Sequence, residues 1–445
     1  MECMFGVSTS AFQLEGDDGT QGRGKSVWDT FCEKDGVIFQ GQNAKISTDH
    51  YNRYKEDVKL MADLGVDSYR FSISWSRLFP DGVGKLNPQG VEFYDNLINE
   101  LLKYNIKPFV TLYHWDLPQT LSDRGGFQSP DFSKWFEEYT TFVVDKYGDR
   151  IEYWITFNEP INAIHASYYA GVFAPGYKLS ELQAMQCLHH MLLAHGKAAQ
   201  VILAKNPTAK IGLAMSTFEE YPMEETAECI EATRKRFFEK SCMTESLDVY
   251  LDPLYFGKYP ERIKTQCPEF WEYVTDEDLQ VIAGKTNIIG YNNYGGHPID
   301  RNGKEVPKKV GAHYSDIGVP IDPKGIYWGI RFLTERYQKP LYVTENGYAN
   351  NDWLSVDGKC GDFNRVEYLK LHIGQVEKLI QEGVDVKGYF VWSFLDNFEW
   401  LCGYSKRFGV VYVDYETLER TPKDSYFWLK DYLSKKTALR KQKGD

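Results

Sequence analysis

Eight short apolar runs, each followed by a longer stretch with helical periodicity, constrain this chain more than any other feature. Runs of this length and composition are typical of parallel strands that are buried on both faces. Eight strands alternating with helices predict an α/β fold, a closed (β/α)₈ TIM barrel. The predicted strands cover residues 5–12, 68–75, 107–114, 152–159, 209–216, 287–294, 339–346 and 387–394.

The predicted helices occupy the intervals between these strands. An open doubly wound sheet would normally carry a Gly-rich phosphate-binding turn after its first strand, and none is present. The polar, Gly-rich stretch at 295–322 is interpreted as a loop over the barrel mouth, so we expect one barrel domain with long βα loops over residues 1–445. The predicted helices cover residues 51–64, 88–104, 131–147, 180–206, 226–244, 323–337 and 364–382.

The charge and the N-terminus exclude several classes of protein. The formal net charge is −12, and an acidic surface repels phosphate backbones, so we expect no nucleic-acid partner. No run of eighteen apolar residues is present, so we expect no membrane span. The start MECMFG lacks the basic and apolar regions of a secretory signal, which predicts a cytoplasmic protein, with a mature secreted chain as the open alternative.

The cysteine and histidine patterns give no metal or redox motif. None of the eight cysteines forms a C-x-x-C pair, which favours free thiols in a reducing compartment. His189 and His195 form an H-x₅-H pattern in a predicted helix, which is not a strong metal-binding spacing. We therefore expect no metal and no organic cofactor.

Polar and ionisable side chains stand at the ends of four predicted strands, where a buried strand should remain apolar. The carboxyl ends of barrel strands converge on one face, and active sites lie there. Residues that are distant in sequence are therefore expected to surround one pocket. They are His114, Trp115 and Asp116 after the third strand, Asn158 and Glu159 after the fourth, Asn292, Asn293 and Tyr294 after the sixth, and Thr344, Glu345 and Asn346 after the seventh.

Two glutamates among these residues indicate a specific reaction. Cleavage of a glycosidic bond needs one carboxylic acid to protonate the leaving oxygen and a second carboxylate to attack or stabilise the anomeric carbon. Glu159 follows Asn158, whose amide suits a sugar hydroxyl, and Arg70 on the second strand is placed to keep Glu345 ionised. Either glutamate alone has an equally good interpretation as a structural salt-bridge partner, but the pair favours the catalytic interpretation.

A second group of candidates lies near the C-terminus. Trp392 and Trp400 flank Glu399, which predicts aromatic surfaces for sugar C–H faces beside an acceptor for two hydroxyls. The alternative is two ordinary core tryptophans and a solvated glutamate. Gln13, after the first strand, is polar and expected near the barrel axis.

Taken together, these motifs resemble glycoside hydrolase family 1, the β-glucosidase family, and the resemblance extends over essentially the whole chain. The motifs at Glu159 and Glu345 are individually fairly specific, and all motifs occur in the family's order and spacing. The stretches that carry the resemblance are SAFQLEG (10–16), WDTF (28–31), DHY (49–51), YRFSISW (69–75), YHWD (113–116), TFNEP (156–160), YVTENG (342–347) and DNFEW (396–400).

The resemblance implies a retaining exo-β-glycosidase that removes terminal β-D-glucosyl residues from cello-oligosaccharides or from aryl and alkyl glucosides, with side activity on β-galactosides and β-fucosides. Glu345 would be the nucleophile and Glu159 the acid/base, roughly 5–5.5 Å apart. Arg70 would orient the nucleophile and Tyr294 would hydrogen-bond it. The implied substrate-binding residues are Gln13, His114, Trp115, Asn158, Asn292, Trp392, Glu399, Trp400 and Phe408.

Single positions in the sequence distinguish this chain from three related groups of proteins. Relatives that act on 6-phosphorylated sugars resemble one another in Ser at 399, Lys at 406 and Tyr at 408, of which only Lys406 is present here. A carboxylate at 399 would repel a 6-phosphate, which favours an unphosphorylated sugar. Plant thioglucosidases carry Gln at the position of Glu159. Non-catalytic sugar-binding relatives usually lose one of the two glutamates, and both are present.

Two departures from the family pattern concern the substrate. Asn293 stands where a Tyr is common, and Val319 falls where many members carry a Trp that stacks on the aglycone. We therefore expect weaker binding of a second glucose than in a relative with that Trp. The natural aglycone, the preference between glucose and galactose, and the oligomeric state are left open.

Overall fold

Eight parallel strands close into a barrel in this computed structural model, which describes residues 3–17 and 19–442. Met1 and Glu2, part of the N-terminal segment used in the targeting argument, lie outside the described residues. Each strand pairs with the next along the chain, and the last closes against the first, with Ser8 opposite Trp392. The predicted (β/α)₈ barrel is confirmed. Its strands are β1 Met4–Ser8, β2 Ser68–Ser72, β3 Lys107–Tyr113, β4 Tyr153–Asn158, β5 Lys210–Ser216, β6 Ile289–Asn292, β7 Leu341–Asn346 and β8 Val386–Trp392.

Helices follow every strand and surround the barrel. Local signals set their ends: Ser180 and Gln183 form a capping box at one start, and Gly65 ends another helix at a φ of 86°. No helix in the described ranges is long and apolar enough to cross a membrane. The helices that follow β1 to β8 are His50–Leu64, Pro88–Lys103, Phe132–Tyr147, Glu181–Lys205, Ala227–Phe238 with Leu247–Phe256, Lys324–Tyr337, Phe363–Gln381 and Asp424–Gln442.

Shorter elements lie in the loops that connect the strands and the main helices. Two three-residue strands, Glu220–Pro222 and His297–Ile299, pair in parallel, and Val411–Val413 pairs antiparallel with Arg420–Pro422. The short helices are Ala11–Leu14, Val27–Cys32, Trp75–Leu78, Gln119–Asp123, Ile263–Gln266, Pro268–Tyr273 and Asp276–Ile282, with 3₁₀ turns at Phe39–Gly41, Gly126–Gln128, Met243–Glu245 and Trp400–Cys402 and a π-helix at Asn162–Tyr169.

Aromatic side chains fill the amino-terminal half of the barrel interior. Phe109 packs on Phe390 at a centroid distance of 5.1 Å and on Tyr153 at 5.2 Å, and Tyr342 completes the group. These rings leave no path through the barrel at that end, as in other packed barrels. Polar side chains are therefore collected at the opposite, carboxyl end.

Several predicted boundaries differ from the structure; the first predicted strand, for example, ran to Phe12, but β1 ends at Ser8 and a short helix begins at Ala11. The second predicted strand ran to Trp75, but β2 ends at Ser72, because the N–H of Ser74 donates to the Tyr94 hydroxyl rather than to a neighbouring strand. The helix predicted over 226–244 ends at Phe238, and the N–H of Lys240 then donates to the Ser246 hydroxyl. The stretch 295–322 contains the strand His297–Ile299 in addition to the predicted loop.

Candidate active site

A cavity of about 300 Å³ opens at the carboxyl ends of the strands. Eleven of the thirteen predicted site residues line it, and the other two, Gln13 and Arg70, lie fully buried behind the wall. The volume is at the lower end for small-ligand sites. The predicted residues in the wall are His114, Trp115, Asn158, Glu159, Asn292, Tyr294, Glu345, Trp392, Glu399, Trp400 and Phe408.

Glu345, in β7, is held by one cation and one hydroxyl. The Arg70 guanidinium donates from Nη1 to Glu345 Oε1 at 2.6 Å, and the Tyr294 hydroxyl donates to Oε2 at 2.5 Å. Burial and the Glu345 carboxylate raise the pKa of Tyr294 well above its usual value, so the phenol keeps its proton. Glu345 thus has a charged partner and a neutral donor, which favour its ionised form.

Glu159 follows β4 directly and is surrounded by amides rather than by cations. Asn292 Nδ2 donates to Oε1 at 2.8 Å, and Asn162 Nδ2 donates to Oε2 at 2.6 Å. Burial and the nearby Glu345 carboxylate raise the pKa of Glu159 to about 8. The two glutamates of one cavity therefore have opposite environments, with Glu159 favoured as the acid and Glu345 as the anion.

A continuous set of hydrogen bonds joins the two carboxyl groups. Asn158 Oδ1 accepts from Arg70 Nη2 at 2.6 Å and from Asn292 Nδ2 at 3.2 Å. Because Arg70 also binds Glu345 and Asn292 also binds Glu159, one network fixes both carboxyls. The Asn292 amide is itself oriented by the Thr344 hydroxyl, which donates to Oδ1 at 2.6 Å.

His114 lies between this network and the aromatic wall. Burial and the Arg70 charge hold the pKa of His114 well below its usual range, so the imidazole is neutral. Its Nε2 lies 3.1 Å from Asn158 Nδ2, whereas its buried Nδ1 has no protein partner. The ring lies nearly parallel to Trp392, at a centroid distance of 5.7 Å, and to Trp400, at 6.1 Å. A buried, unsatisfied nitrogen beside aromatic faces fits recognition of a sugar hydroxyl.

Glu399 stands in the cavity wall beside Trp400. Burial and the carboxylates of Glu345 and Glu159 raise the pKa of Glu399 to about 8. Gln13 Nε2 approaches Glu399 Oε2 at 3.4 Å and donates to the Phe398 carbonyl at 2.9 Å. Gln13 therefore lies behind Glu399, and its contact with a ligand is not direct in this arrangement.

Four residues of the cavity wall have backbones in the left-handed region. The φ angles are 44° at Glu159, 74° at Trp115, 60° at Glu219 and 46° at Trp400. None is glycine, and each conformation directs a large or charged side chain into the same space. Trp115 is fixed further by donation from Nε1 to the Asn158 carbonyl at 3.0 Å.

Six residues of the wall were not predicted from the sequence, and Val319, which the sequence singled out, also lines the cavity. Glu219 is the most unusual, because burial raises the pKa of its carboxyl to about 7. That carboxyl accepts a hydrogen bond from the backbone N–H of Tyr294, and so supports the tyrosine that binds Glu345. The only sequence signal was a pair of acidic residues in a loop, which does not predict burial. The missed residues are Asn162, Phe173, Ser216, Thr217, Glu219 and Ile317.

Comparison with known proteins decides the family. A family model described as Glycosyl hydrolase family 1 matches residues 1–438. The chain belongs to glycosyl hydrolase family 1. Beta-glucosidase A of Thermotoga maritima is 42% identical over 431 residues, which cover 96% of this chain and 95% of that protein. A 1,4-beta-D-glucan glucohydrolase of Thermotoga neapolitana is 40% identical, with 97% of each chain covered.

Solved structures show the same family and the same barrel. A beta-glucosidase from Thermotoga maritima in complex with deoxynojirimycin has a TM-score of 0.88 and 40% identity, with 97% of both chains covered. The complex of a Thermotoga maritima beta-glucosidase with glucoimidazole has a TM-score of 0.89, also at 40% identity. Membership in family 1 makes this chain a glycoside hydrolase.

Proposed function

We propose that this family 1 enzyme is a retaining exo-β-glucosidase that releases terminal non-reducing β-D-glucosyl residues. The observation that carries the proposal is that two carboxyl groups of one cavity have different surroundings. Glu345 is paired with the Arg70 guanidinium, whereas the pKa of Glu159 is raised. The relatives named beta-glucosidase A and 1,4-beta-D-glucan glucohydrolase support β-glucosides and cello-oligosaccharides as substrates. The proposal also includes aryl and alkyl glucosides, with β-galactosides and β-fucosides as side substrates.

In the first step, the Glu345 carboxylate attacks the anomeric carbon while Glu159 gives its proton to the leaving oxygen. The bond to the aglycone breaks, the alcohol leaves, and a covalent glucosyl ester on Glu345 forms. Glu345 then carries no negative charge, which lowers the pKa of Glu159 and allows it to act as a base. In the second step, Glu159 takes a proton from water and the water oxygen attacks the anomeric carbon. The ester bond to Glu345 breaks, which restores its carboxylate, and β-glucose leaves.

The cavity wall favours an unphosphorylated glucose. Glu399 and Phe408 both line it, whereas Lys406, the one feature shared with 6-phosphoglycosidases, does not. Glu399 would accept two sugar hydroxyls, with Trp392 and Trp400 against the apolar face of the ring. A phosphate beside Glu399 would meet repulsion from the Glu345 carboxylate and would find no cation in the cavity lining. The 6-phosphoglycosidase alternative is therefore disfavoured.

We also infer one barrel domain over residues 1–445 and a reducing, cytoplasmic location. The described strands and helices form one continuous cycle from β1 to the last helix, with no linker inside it. No disulfide joins any of the eight cysteines, all of which lie among the described residues, and buried thiols such as Cys187 persist best where the medium is reducing.

The first experiment is NMR of the product anomer during hydrolysis of p-nitrophenyl β-glucoside, with p-nitrophenyl β-galactoside and p-nitrophenyl β-glucoside 6-phosphate as competing substrates. We expect β-glucose as the first-formed product and the highest kcat/KM on the unphosphorylated sugars. First-formed α-glucose would overturn the retaining mechanism. Activity on the phosphorylated glucoside alone would overturn the assignment of Glu399.

The kcat/KM for an alkyl β-glucoside should fall as pH rises through about 8. The raised pKa of Glu159 means that its active, protonated form is present below this value and is lost above it. The measurement is a pH profile of kcat/KM, which reports groups of the free enzyme. The alkaline decline should be absent in Glu159→Gln, and a wild-type profile that stays flat through pH 8 would contradict the role of Glu159.

Val319→Trp should lower the KM for cellobiose by about 2- to 10-fold, because an aromatic face against the second glucose is worth roughly 0.5–1.5 kcal/mol. Val319 lies in the cavity wall beside Ile317. Methyl β-glucoside, whose aglycone is too small to stack, is the control substrate and should show little change in KM. An unchanged or raised KM for cellobiose would show that position 319 does not face the aglycone.

A further inference from the structure

A cluster of His165, Cys242 and Glu245 lies outside the cavity. One ligand atom from each of these residues lies within 4.8 Å of the others, the one such His/Cys/Asp/Glu group found in residues 3–17 and 19–442. His165 Nε2 lies 3.4 Å from Glu245 Oε1, and Cys242 Sγ lies 3.8 Å from His165 Nδ1. Donors at 2.0–2.3 Å from a tetrahedral Zn²⁺ are roughly 3.5 Å from one another. An ion can bind only one of the two ring nitrogens of His165, so with one atom from each residue the donors lie within 4.8 Å, and a side-chain shift of about 1 Å would bring them onto one ion.

Rigid surroundings support the cluster. The Glu181 carboxyl accepts a hydrogen bond from the N–H of Met243 at 2.7 Å, which ties the 3₁₀ turn to the start of a long helix. The donors come from separate elements: His165 from the π-helix, and Cys242 and Glu245 from the 3₁₀ turn and its approach. Their positions therefore do not depend on one flexible loop.

The chemistry of the donors selects the ion. A thiolate and an imidazole are soft or intermediate ligands that favour Zn²⁺ over Mg²⁺ or Ca²⁺, the Glu245 carboxylate is the third ligand, and water would take the fourth position. The side chains of His165 and Glu245 are 20% and 28% exposed, which leaves a path for an ion from solvent. On binding, the Cys242 sulfur bonds to the metal and its proton passes to the buffer.

We propose that His165, Cys242 and Glu245 form a binding site for a thiophilic divalent cation such as Zn²⁺. We expected no metal from the sequence, because the three ligands are spread over 81 positions without a recognisable spacing. The site is independent of the proposed glucosidase chemistry. The cation site is connected to the acid/base through Asn162, which lies on the same π-helix as His165 and donates a hydrogen bond to Glu159. A bound ion would therefore fix the segment that supports the acid/base.

The test is titration of the purified full-length protein with Co²⁺, followed by absorption spectroscopy and displacement by Zn²⁺. We expect one equivalent of Co²⁺ to give a thiolate-to-cobalt band in the near ultraviolet and tetrahedral bands in the visible. Cys242→Ser should lose the thiolate band, and His165→Gln should bind Zn²⁺ at least ~10-fold more weakly, since even outer-shell changes cost that much. Cys32→Ser, which alters another partly exposed cysteine, is the matched control and should keep the band.

The outcomes separate this site from the cavity carboxylates. A thiolate band that persists in Cys242→Ser, or binding without any thiolate band, would overturn the proposal and would place the ion elsewhere, for example on the cavity glutamates. We also expect Zn²⁺ to change kcat/KM for a chromogenic glucoside in the wild type and not in Cys242→Ser. An equal effect on both proteins would show that the ion acts without this cluster. Normal activity of the metal-free variants shows that they are folded.

Discussion

Glu345→Ala should lower kcat/KM on p-nitrophenyl β-glucoside by about 10⁴- to 10⁶-fold, as expected when a covalent nucleophile is removed. The loss should leave the acid/base and the cavity intact, because Arg70 keeps its contacts with Thr111, Thr344 and Asn158. Added azide should then attack the exposed anomeric carbon from the vacated side. The expected product is α-glucosyl azide, identified by NMR.

Glu219→Gln is the matched control for this change. Glu219 is a buried carboxyl in the same cavity wall, but it contacts the backbone of Tyr294 and not Glu345. The glutamine keeps an acceptor for that N–H, so we expect less than about a tenfold loss, comparable to one hydrogen bond. If Glu345→Ala kept activity similar to Glu219→Gln, or gave β-glucosyl azide, Glu345 would not be the nucleophile.

Glu159→Ala should have an effect that depends on the leaving group. Loss of general acid catalysis is worth about 10²- to 10⁴-fold, and we expect the full loss of kcat/KM on cellobiose and alkyl glucosides. Dinitrophenyl β-glucoside needs little protonation, so its kcat/KM should remain close to that of the wild type. Its kcat should fall, because the glucosyl ester accumulates without a base to activate water.

Azide also distinguishes the role of Glu159 from that of Glu345. In Glu159→Ala the nucleophile remains, so azide should attack the glucosyl ester and give β-glucosyl azide. Pre-steady-state kinetics with dinitrophenyl β-glucoside should show a burst of phenolate, since the second step limits turnover. Equal losses on dinitrophenyl and alkyl glucosides would contradict an acid/base role and would indicate a structural defect.

The barrel could be predicted from the sequence because its strands are buried on both faces and therefore form uninterrupted apolar runs. Strand ends were less accurate: β6 ends at Asn292, whereas the predicted run continued to Tyr294. The residues that follow the end of a strand and lead into the site are often still apolar or aromatic. Composition therefore does not mark the residue at which the strand ends. The helix predicted over 226–244 was too long because composition does not mark its end either. The helix stops before Lys240, whose N–H donates to the Ser246 hydroxyl.

The site was predictable where side chains stand at strand ends and less so where they stand in loops. Arg70 and Glu345 lie on strands of fixed direction, so their meeting follows from the barrel. Glu219 and Phe173 reach the wall through loop conformations that local sequence does not specify. The raised pKa of Glu219 was equally out of reach, because it comes from burial in the folded protein, which outweighs the hydrogen bonds from the Tyr294 and Gly295 backbone that lower this pKa.

The left-handed backbones at Glu159, Trp115 and Trp400 have a consequence for evolution and engineering. Each non-glycine residue in that region costs of order 1–2 kcal/mol, which the rest of the fold must offset. Glycine at any of the three would relieve that strain, but it would delete a side chain on which turnover depends. Thermal stability and catalysis therefore oppose each other at these positions. Selection for stability alone would therefore replace these cavity residues first. Stabilising mutations that preserve activity should be sought in the helices around the barrel.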